Sequence, residues 1–178
     1  MSTSPAAYAR LRAAAERVAA YGKVEIADGQ VVLSLPPTAA HAEAAHHVAD
    51  QLRAQLPRTH PRHTVHLGST VECPGLRRLY RPDVTVAPIN AIEPHAVLLV
   101  TEVVPRSNPS RAYDAKVRDY ATMGIPLYLL VDPRDGTGIA HSQPGYTARE
   151  KFAFGDEITV GPWILDTSVL LTYGRESD

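Results

Sequence analysis

The stretch LLVTEVVPRSNPSRAYDAKVRDYATMGIPLYLLVDP, residues 98–133, contains signals for a strand, a helix and a second strand in succession. Residues 97–104 are almost continuously apolar, which predicts a strand in the middle of a sheet, covered on both faces. Residues 110–123 have helical spacing, and the apolar run at residues 127–131 predicts the next strand. A strand, helix and strand in this order predict a sheet with at least one helix packed against it.

Further elements are predicted on the N-terminal side of this stretch. Residues 5–20 have apolar side chains at helical spacing, and Asp28-Gly29 marks a hairpin turn between two short strands. Thr38 is a candidate N-cap for a second helix, which we expect to stop near Pro57. Other strands are predicted at residues 63–71, 79–87, 158–160 and 162–166. The pattern predicts an α/β or α+β fold, in which a mixed sheet is flanked by helices and accompanied by extra short antiparallel strands.

The composition is that of an ordinary folded domain. The chain has 178 residues, of which 44% are apolar and 21% charged, and we expect one domain over residues 1–178, with the helix at about 5–20 at its periphery. Its net charge of −1 does not favour a nonspecific nucleic-acid coat, although a local basic face remains open. No apolar run approaches the roughly 18 residues of a membrane span, and no signal peptide is recognisable. We therefore expect a cytoplasmic protein without membrane contact. The single cysteine excludes an internal disulfide.

Two acidic residues come at the ends of apolar runs: Asp83 in LYRPDVTVAP and Glu102 in HAVLLVTEVVP. An ionised carboxylate is rarely buried without a partner. Asp83 could cap a turn at the start of its strand, and Glu102 could form a salt bridge with Arg106 or Arg111. Two carboxylates at strand ends, followed by a lysine, instead indicate a divalent-metal site.

That lysine is Lys116, on the predicted helix. Four residues at i, i+3, i+4 and i+7 share the face that should pack on the sheet: Tyr113, Lys116, Val117 and Tyr120. The ammonium could reach the carboxylates, or the stem could cover apolar surface while the charge stays in solvent. Asp114 is a secondary candidate, although it points to a different face and could pair with Arg118 or Arg111.

Taken in order, these motifs resemble the Uma-two family, a restriction-endonuclease-like group of the PD-(D/E)XK nuclease superfamily. The matching pieces are VEIADGQVVLSLPPTAAH, RPDVTV, residues 98–133 and PWILDTSVLL, which together span most of the chain from about 21 to 171. The piece at residues 98–133 is the most specific, because it joins an acidic strand end, a Ser/Asn/Pro loop, a D-x-K helix and a G-I-P-x-Y strand start.

The resemblance implies a metal-dependent endonuclease that hydrolyses phosphodiester bonds in DNA, with Mg²⁺ or Mn²⁺ as the cofactor. Asp83 matches the aspartate of the PD motif, and Glu102 matches the second acid. The superfamily usually carries its lysine two residues after that acid, where this chain has Val104; the family's lysine on the following helix matches Lys116. The backbone carbonyl of Val103 is implied as a further metal ligand.

Two more candidates follow from the same resemblance. Glu25 begins the hairpin, where the family pattern carries an acid, and it is implied as an extra ligand of the metal or of a water. His41 fits the family pattern on the inward stripe of the second helix, although a lone histidine there could equally be a hydrogen-bonded core residue. The remaining histidines lack ligand spacing, so we assign no zinc.

Arginines lie near both acids: Arg81 precedes Asp83, while Arg106 and Arg111 follow Glu102. They could contact DNA phosphates or simply be solvated surface residues. Single-domain nucleases that cut both strands commonly act in pairs, so we expect a homodimer. The alternative function is a catalytically inactive nuclease-like protein that binds DNA or serves in assembly. The departure at Val104 and the near-neutral charge favour that alternative, whereas the three retained side chains favour the nuclease.

Overall fold

A computed structural model of the chain describes residues 3–35, 37–90, 92–106 and 111–174, without the side chains of 111 and 112. Within these ranges the α-helices are α1 Pro5–Val18, α2 Ala39–Thr59 and α3 Arg111–Thr122. The first six strands are β1 Lys23–Ala27, β2 Gln30–Ser34, β3 His63–Leu67, β4 Val71–Cys73, β5 Arg78–Tyr80 and β6 Val84–Pro88. The other six are β7 Leu99–Val103, β8 Leu127–Asp132, β9 Thr137–Ser142, β10 Ala148–Ala153, β11 Glu157–Val160 and β12 Trp163–Asp166. None of the helices in this part of the chain has the length and apolar character needed to cross a bilayer.

The main sheet has six strands in the order β10-β9-β8-β7-β6-β3. Strands β7 and β8 are parallel and are joined by the segment that contains α3, whereas the other neighbouring pairs are antiparallel. All five residues of β7 are buried, as its apolar sequence predicts for a strand covered on both faces. The sheet is therefore mixed, which confirms the predicted α+β fold class.

A second, four-stranded antiparallel sheet has the order β2-β1-β5-β4, and β11 pairs with β12 as a separate hairpin. The turn at Asp28-Gly29 joins β1 to β2 as predicted, with both turn residues at positive φ, as a two-residue hairpin loop requires. Helix α1 buries Tyr8 and Ala15 against this sheet.

Helix α2 packs on the main sheet through its inward stripe, whose residues His41, Ala45, Val48 and Leu52 are all buried. The Thr38 hydroxyl accepts a hydrogen bond from His41 N, which confirms the predicted cap. The helix ends at Thr59, two residues beyond Pro57, which confirms the expected stop near that proline. The final turn is closed after the proline by the bond from His60 N to Leu56 O at 2.8 Å.

Two predicted strands are each divided between the two sheets. The run at 63–71 breaks at Gly68, whose φ of +57° favours glycine, and becomes β3 and β4. The run at 79–87 breaks at Arg81, Pro82 and Asp83 and becomes β5 and β6. Proline cannot donate a ladder hydrogen bond, which explains the interruption. This corner places Asp83 at the junction between the two sheets.

Candidate functional site

Asp83 is held by backbone and side-chain groups from three elements. Its backbone N–H donates to Thr101 O at 3.0 Å, and its Oδ2 accepts from the Val103 N–H at 2.7 Å. Its Oδ1 lies 3.1 Å from His41 Nε2 and 3.5 Å from Lys23 Nζ. Asp83 Oδ2 is thus hydrogen-bonded to β7, whereas Oδ1 faces His41 and Lys23.

Glu102 on β7 is the most deeply buried acid of the cluster, with 1% of the residue exposed. Its Oε1 accepts hydrogen bonds from Lys116 Nζ and from the Tyr120 hydroxyl, both at 2.9 Å. Its Oε2 lies 3.3 Å from Lys23 Nζ. These partners replace the salt bridge with Arg106 that was one alternative from sequence, while the other, with Arg111, lies outside the described side chains. The charge of Glu102 is therefore balanced inside the fold, not at the surface.

Lys116 lies on the buried face of α3, as its spacing predicts. Besides Glu102, its ammonium donates to Glu25 Oε1 at 2.9 Å and lies 5.4 Å from the centre of the Tyr80 ring. The alternative in which the Lys116 ammonium remains in solvent is therefore wrong. Glu25 Oε1 also accepts the backbone N–H of Arg81 at 3.1 Å, which ties β1 to the corner that carries Asp83.

Two residues of the cluster were not singled out from sequence. Lys23 lies at the start of β1, and its Nζ is 3.8 Å from Glu25 Oε1 in addition to its contacts with Asp83 and Glu102. Lys23 and Glu25 are two residues apart on one strand, so they share a face, and that alternation was an available signal. Tyr120 follows Lys116 by four residues, and the helical spacing placed it on the same face without indicating its hydrogen bond to Glu102.

The neighbouring charges shift the pKa values of the ionisable side chains in the cluster. Burial alone would raise the pKa of Asp83, but His41, Lys23 and the Val103 N–H lower it to about 2. Burial likewise opposes ionisation of Glu25, yet Lys116 and Lys23 lower its pKa overall. Burial would lower the pKa of Lys23, but the surrounding carboxylates, Glu102 first, raise it well above its usual range. Asp83, Glu25 and Lys23 are therefore all charged near neutral pH.

The side chains of three other candidates, Asp114, Arg81 and Arg106, lie outside this cluster. Asp114 is exposed on α3. The Arg81 guanidinium donates from Nε to Gly68 O, and the exposed Arg106 donates to Gly174 O and lies 5.8 Å from the centre of the Tyr173 ring. The side chain of Arg111 is outside the described part of the chain. The roles of these arginines in DNA contact remain predictions.

His41 links the acidic cluster to the C-terminal part of the chain. While its Nε2 faces Asp83, its Nδ1 lies 3.4 Å from the Tyr173 hydroxyl, which donates to Val104 O at 2.7 Å. The histidine is 6% exposed. It therefore orients the Asp83 carboxylate from within the core, whatever further role it has.

The donor set fits a hard divalent cation. Asp83 Oδ1 and Glu102 Oε2 are the two oxygens not already hydrogen-bonded to β7, Lys116 or Tyr120, and a cation, the Lys23 ammonium, already lies between them. Among the described residues no three His, Cys, Asp or Glu side chains form a complete metal cage. Mg²⁺ commonly keeps several waters and takes only one or two carboxylates, so two oxygens of this kind suffice.

The low pKa of Asp83 predicts an acid-dependent contribution to stability. Its pKa in the fold, about 2, lies below its usual 3.8, so the carboxylate stabilises the folded state fully above about pH 4 and loses this effect as the pH falls through 2. The contribution is about 2 kcal/mol. In urea denaturation, the difference in the free energy of unfolding between wild type and Asp83→Asn should shrink by that amount between about pH 5 and pH 2.

The exposed Asp114→Asn gives the baseline for the same change of side chain. A difference between wild type and Asp83→Asn that stays constant over this pH range would show that the contacts of Asp83 with His41 and Lys23 do not favour its ionised form.

Comparison with known proteins supports the fold and the family. A family model named Uma2 and described as "Putative restriction endonuclease" matches residues 7–171. A crystal structure of a "putative nuclease belonging to DUF820" from Anabaena variabilis superposes with a TM-score of 0.67 at 13% identity. The match covers 83% of this chain and 88% of that one, which confirms the restriction-endonuclease-like fold.

A cryo-EM structure of a DrdV–DNA complex is a more distant match. It has a TM-score of 0.37 and 14% identity, and the match covers 83% of this chain but 12% of that one. This likeness is too weak to carry an argument about function. No curated protein matches the chain.

Proposed function

We propose that this chain, which belongs to the Uma2 family as its motifs predicted, is a divalent-metal-dependent endonuclease that hydrolyses phosphodiester bonds in DNA. The observation that carries the proposal is that Lys116 contacts Glu102 while Lys23 lies between Glu102 and Asp83, so that side chains from separate elements lie together at the junction of the two sheets. Strongly perturbed, mutually paired titratable groups are typical of active sites.

In this proposal the Asp83 and Glu102 carboxylates, together with the Val103 carbonyl, would hold Mg²⁺ or Mn²⁺. When bound, such an ion would offset negative charge on the phosphate and make a water more acidic. One oxygen of each acid is fixed by the protein: Val103 N holds Asp83, while Lys116 and Tyr120 hold Glu102. Lys116 would orient the attacking water or stabilise the negative charge that develops on the phosphate. Glu25 would complete the set as a ligand of the ion or of its water.

The partner in this proposal is DNA, and Arg81, Arg106 and Arg111 would contact its phosphates. Arg81 directly precedes Pro82 and Asp83 at the corner, and Arg106 follows the last residue of β7 by three residues. Each of these two arginines is therefore close in sequence to one of the acids. A homodimer would present two such sites to the two strands of a duplex.

A second candidate function is favoured by one contact. Lys23 Nζ lies between the two carboxylate oxygens that would bind the ion. If that ammonium stays in place permanently, the cluster is a structural ion-pair network. The chain would then be a catalytically inactive nuclease-like protein that binds DNA or serves in assembly.

Plasmid cleavage tests the two functions against each other. Wild-type protein should nick or linearise supercoiled plasmid with Mg²⁺ or Mn²⁺. Excess EDTA should abolish the activity, because it removes the positive charge of the ion, which the two carboxylates cannot supply. Glu102→Ala and Lys116→Ala, purified in the same way, control for contaminating nuclease.

Equal cleavage by wild type and both variants would place the activity elsewhere or in a contaminant. No cleavage by any of them, with plasmid binding retained in a gel-shift assay, would contradict the nuclease and support the binding or assembly function.

A further inference from the structure

We infer that Lys23 is a positioning residue whose ammonium occupies the divalent-ion position when the ion is absent and moves out to solvent when the ion binds. The inference rests on the proposed function, because it concerns the same pair of acids. It assigns a role to a lysine that the sequence motifs did not single out.

The carboxylate oxygens of Asp83 and Glu102 fall into two pairs that differ in their contacts. Asp83 Oδ2 and Glu102 Oε1 are engaged by Val103 N, Lys116 and Tyr120 at 2.7–2.9 Å. Asp83 Oδ1 and Glu102 Oε2 are shared by Lys23 Nζ at the longer distances of 3.5 and 3.3 Å. Lys23 thus makes the longer contacts, and its ammonium bridges these two oxygens, of which Asp83 Oδ1 also lies 3.1 Å from His41 Nε2.

The two lysines of the cluster differ in their exposure and in the elements that carry them. The Lys116 side chain is 9% exposed and emerges from α3 under the rings of Tyr80 and Tyr113. The Lys23 side chain is 23% exposed and emerges from the first residue of β1. A lysine has a flexible four-carbon stem, so an ammonium at the margin of a site can turn into water without moving the backbone.

The charges of the cluster do not cancel. With the His41 imidazole counted as neutral, the carboxylates of Glu25, Asp83 and Glu102 face two ammonium ions, so the cluster has one negative charge in excess. A divalent ion that replaces the Lys23 ammonium makes the sum zero. If Lys23 remained beside the ion, the sum would be positive, and two cations would lie within a few ångströms of each other in a partly buried space. The ion and the Lys23 ammonium therefore exclude one another.

The sequence allows a direct test, because the chain contains three lysines: Lys23, Lys116 and Lys151. Lys151 is exposed on β10 and serves as an internal reference. Wild-type protein is acetylated briefly with and without Mg²⁺, and the modification of each lysine is quantified by mass spectrometry. We expect Mg²⁺ to raise the rate at Lys23 towards that of Lys151, while Lys116 stays protected.

Metal binding to matched variants gives a second readout. Lys23→Gln and Lys116→Gln remove the same charge from the same carboxylate cluster, so general electrostatics should strengthen cation binding in both. Because Lys23 alone occupies the ion position, Lys23→Gln should bind Mn²⁺ at least ~10-fold more tightly than wild type, and more tightly than Lys116→Gln, in isothermal titration calorimetry. Mn²⁺ should also restore thermal stability lost by Lys23→Gln, because the ion replaces the missing ammonium.

The outcomes separate this inference from the nuclease proposal. If wild type binds Mn²⁺ but Lys23 stays protected from acetylation, or if Lys23→Gln gains no more affinity than Lys116→Gln, the role of Lys23 is overturned and the nuclease proposal stands. If neither wild type nor either variant binds Mn²⁺, both are overturned. The acetylation measurement uses wild type, so it decides the matter even if Lys23→Gln fails to fold.

Discussion

Glu102→Gln is expected to lower the rate of plasmid cleavage at least ~10²-fold, which corresponds to about 2.7 kcal/mol of activation free energy. Glutamine preserves the shape of the side chain, and its amide oxygen can still accept the bonds from Lys116 and Tyr120. What it loses is the negative charge opposite Lys23, at the oxygen assigned to the ion. Rates of supercoiled-plasmid nicking under saturating Mg²⁺ measure the effect.

Glu157→Gln is the matched control, because Glu157 is exposed on β11 and makes no contact with the cluster among the described residues. It should cleave at the wild-type rate. A Glu102→Gln protein that is folded by circular dichroism and also cleaves at that rate would remove Glu102 from the site.

Lys116→Met is expected to lower the free energy of unfolding by about 3 kcal/mol. Methionine keeps a long apolar stem, but it leaves the buried Glu102 and the partly buried Glu25 without their 2.9 Å ammonium partner. Removing one member of a buried ion pair commonly costs about 3–5 kcal/mol, and Lys23 offsets part of this loss here. Urea denaturation of the purified variant measures the change.

Two further variants make this prediction specific. Lys151→Met changes an exposed lysine and should alter stability by less than about 0.5 kcal/mol. Lys116→Met combined with Glu102→Gln removes both charges of the pair. The double variant should therefore lose less free energy of unfolding than the two single variants lose together. Strict additivity would mean that Lys116 and Glu102 do not depend on each other in the folded protein.

The strand–helix–strand order around Glu102 could be predicted because its signals are local. A strand buried on both faces needs a continuous apolar run, which β7 has. A helix that packs on a sheet buries one of its faces. On α3 the helical spacing of Tyr113, Lys116 and Tyr120 identified that face, and all three residues are buried. Glu102 stood out as an acid on such a strand, and Lys116 as a lysine on such a face.

The division of two predicted strands between the sheets could not be predicted in the same way. Alternation at 79–87 is compatible with one long strand or with two strands separated by a corner. Arg81, Pro82 and Asp83 form a corner because Asp83 N bonds to Thr101 O and Gly68 N bonds to Asp83 O. These contacts link residues that are distant along the chain, so the local sequence pattern around residues 79–87 does not reveal them.

The residue types and spacings along the chain were enough to indicate the fold class, the family and the three charged residues on which the proposed chemistry depends. Which cation faces which oxygen was settled by packing: Lys116 was expected to reach the acids, yet Asp83 is contacted by Lys23 and His41 instead. The reason is physical. Secondary structure follows from periodicity between near neighbours, whereas an ion pair depends on where separate elements place their side chains. In this protein the side chains of the cluster come from β1, α2, the corner before β6, β7 and α3, which lie far apart along the chain and are brought together only by the tertiary structure.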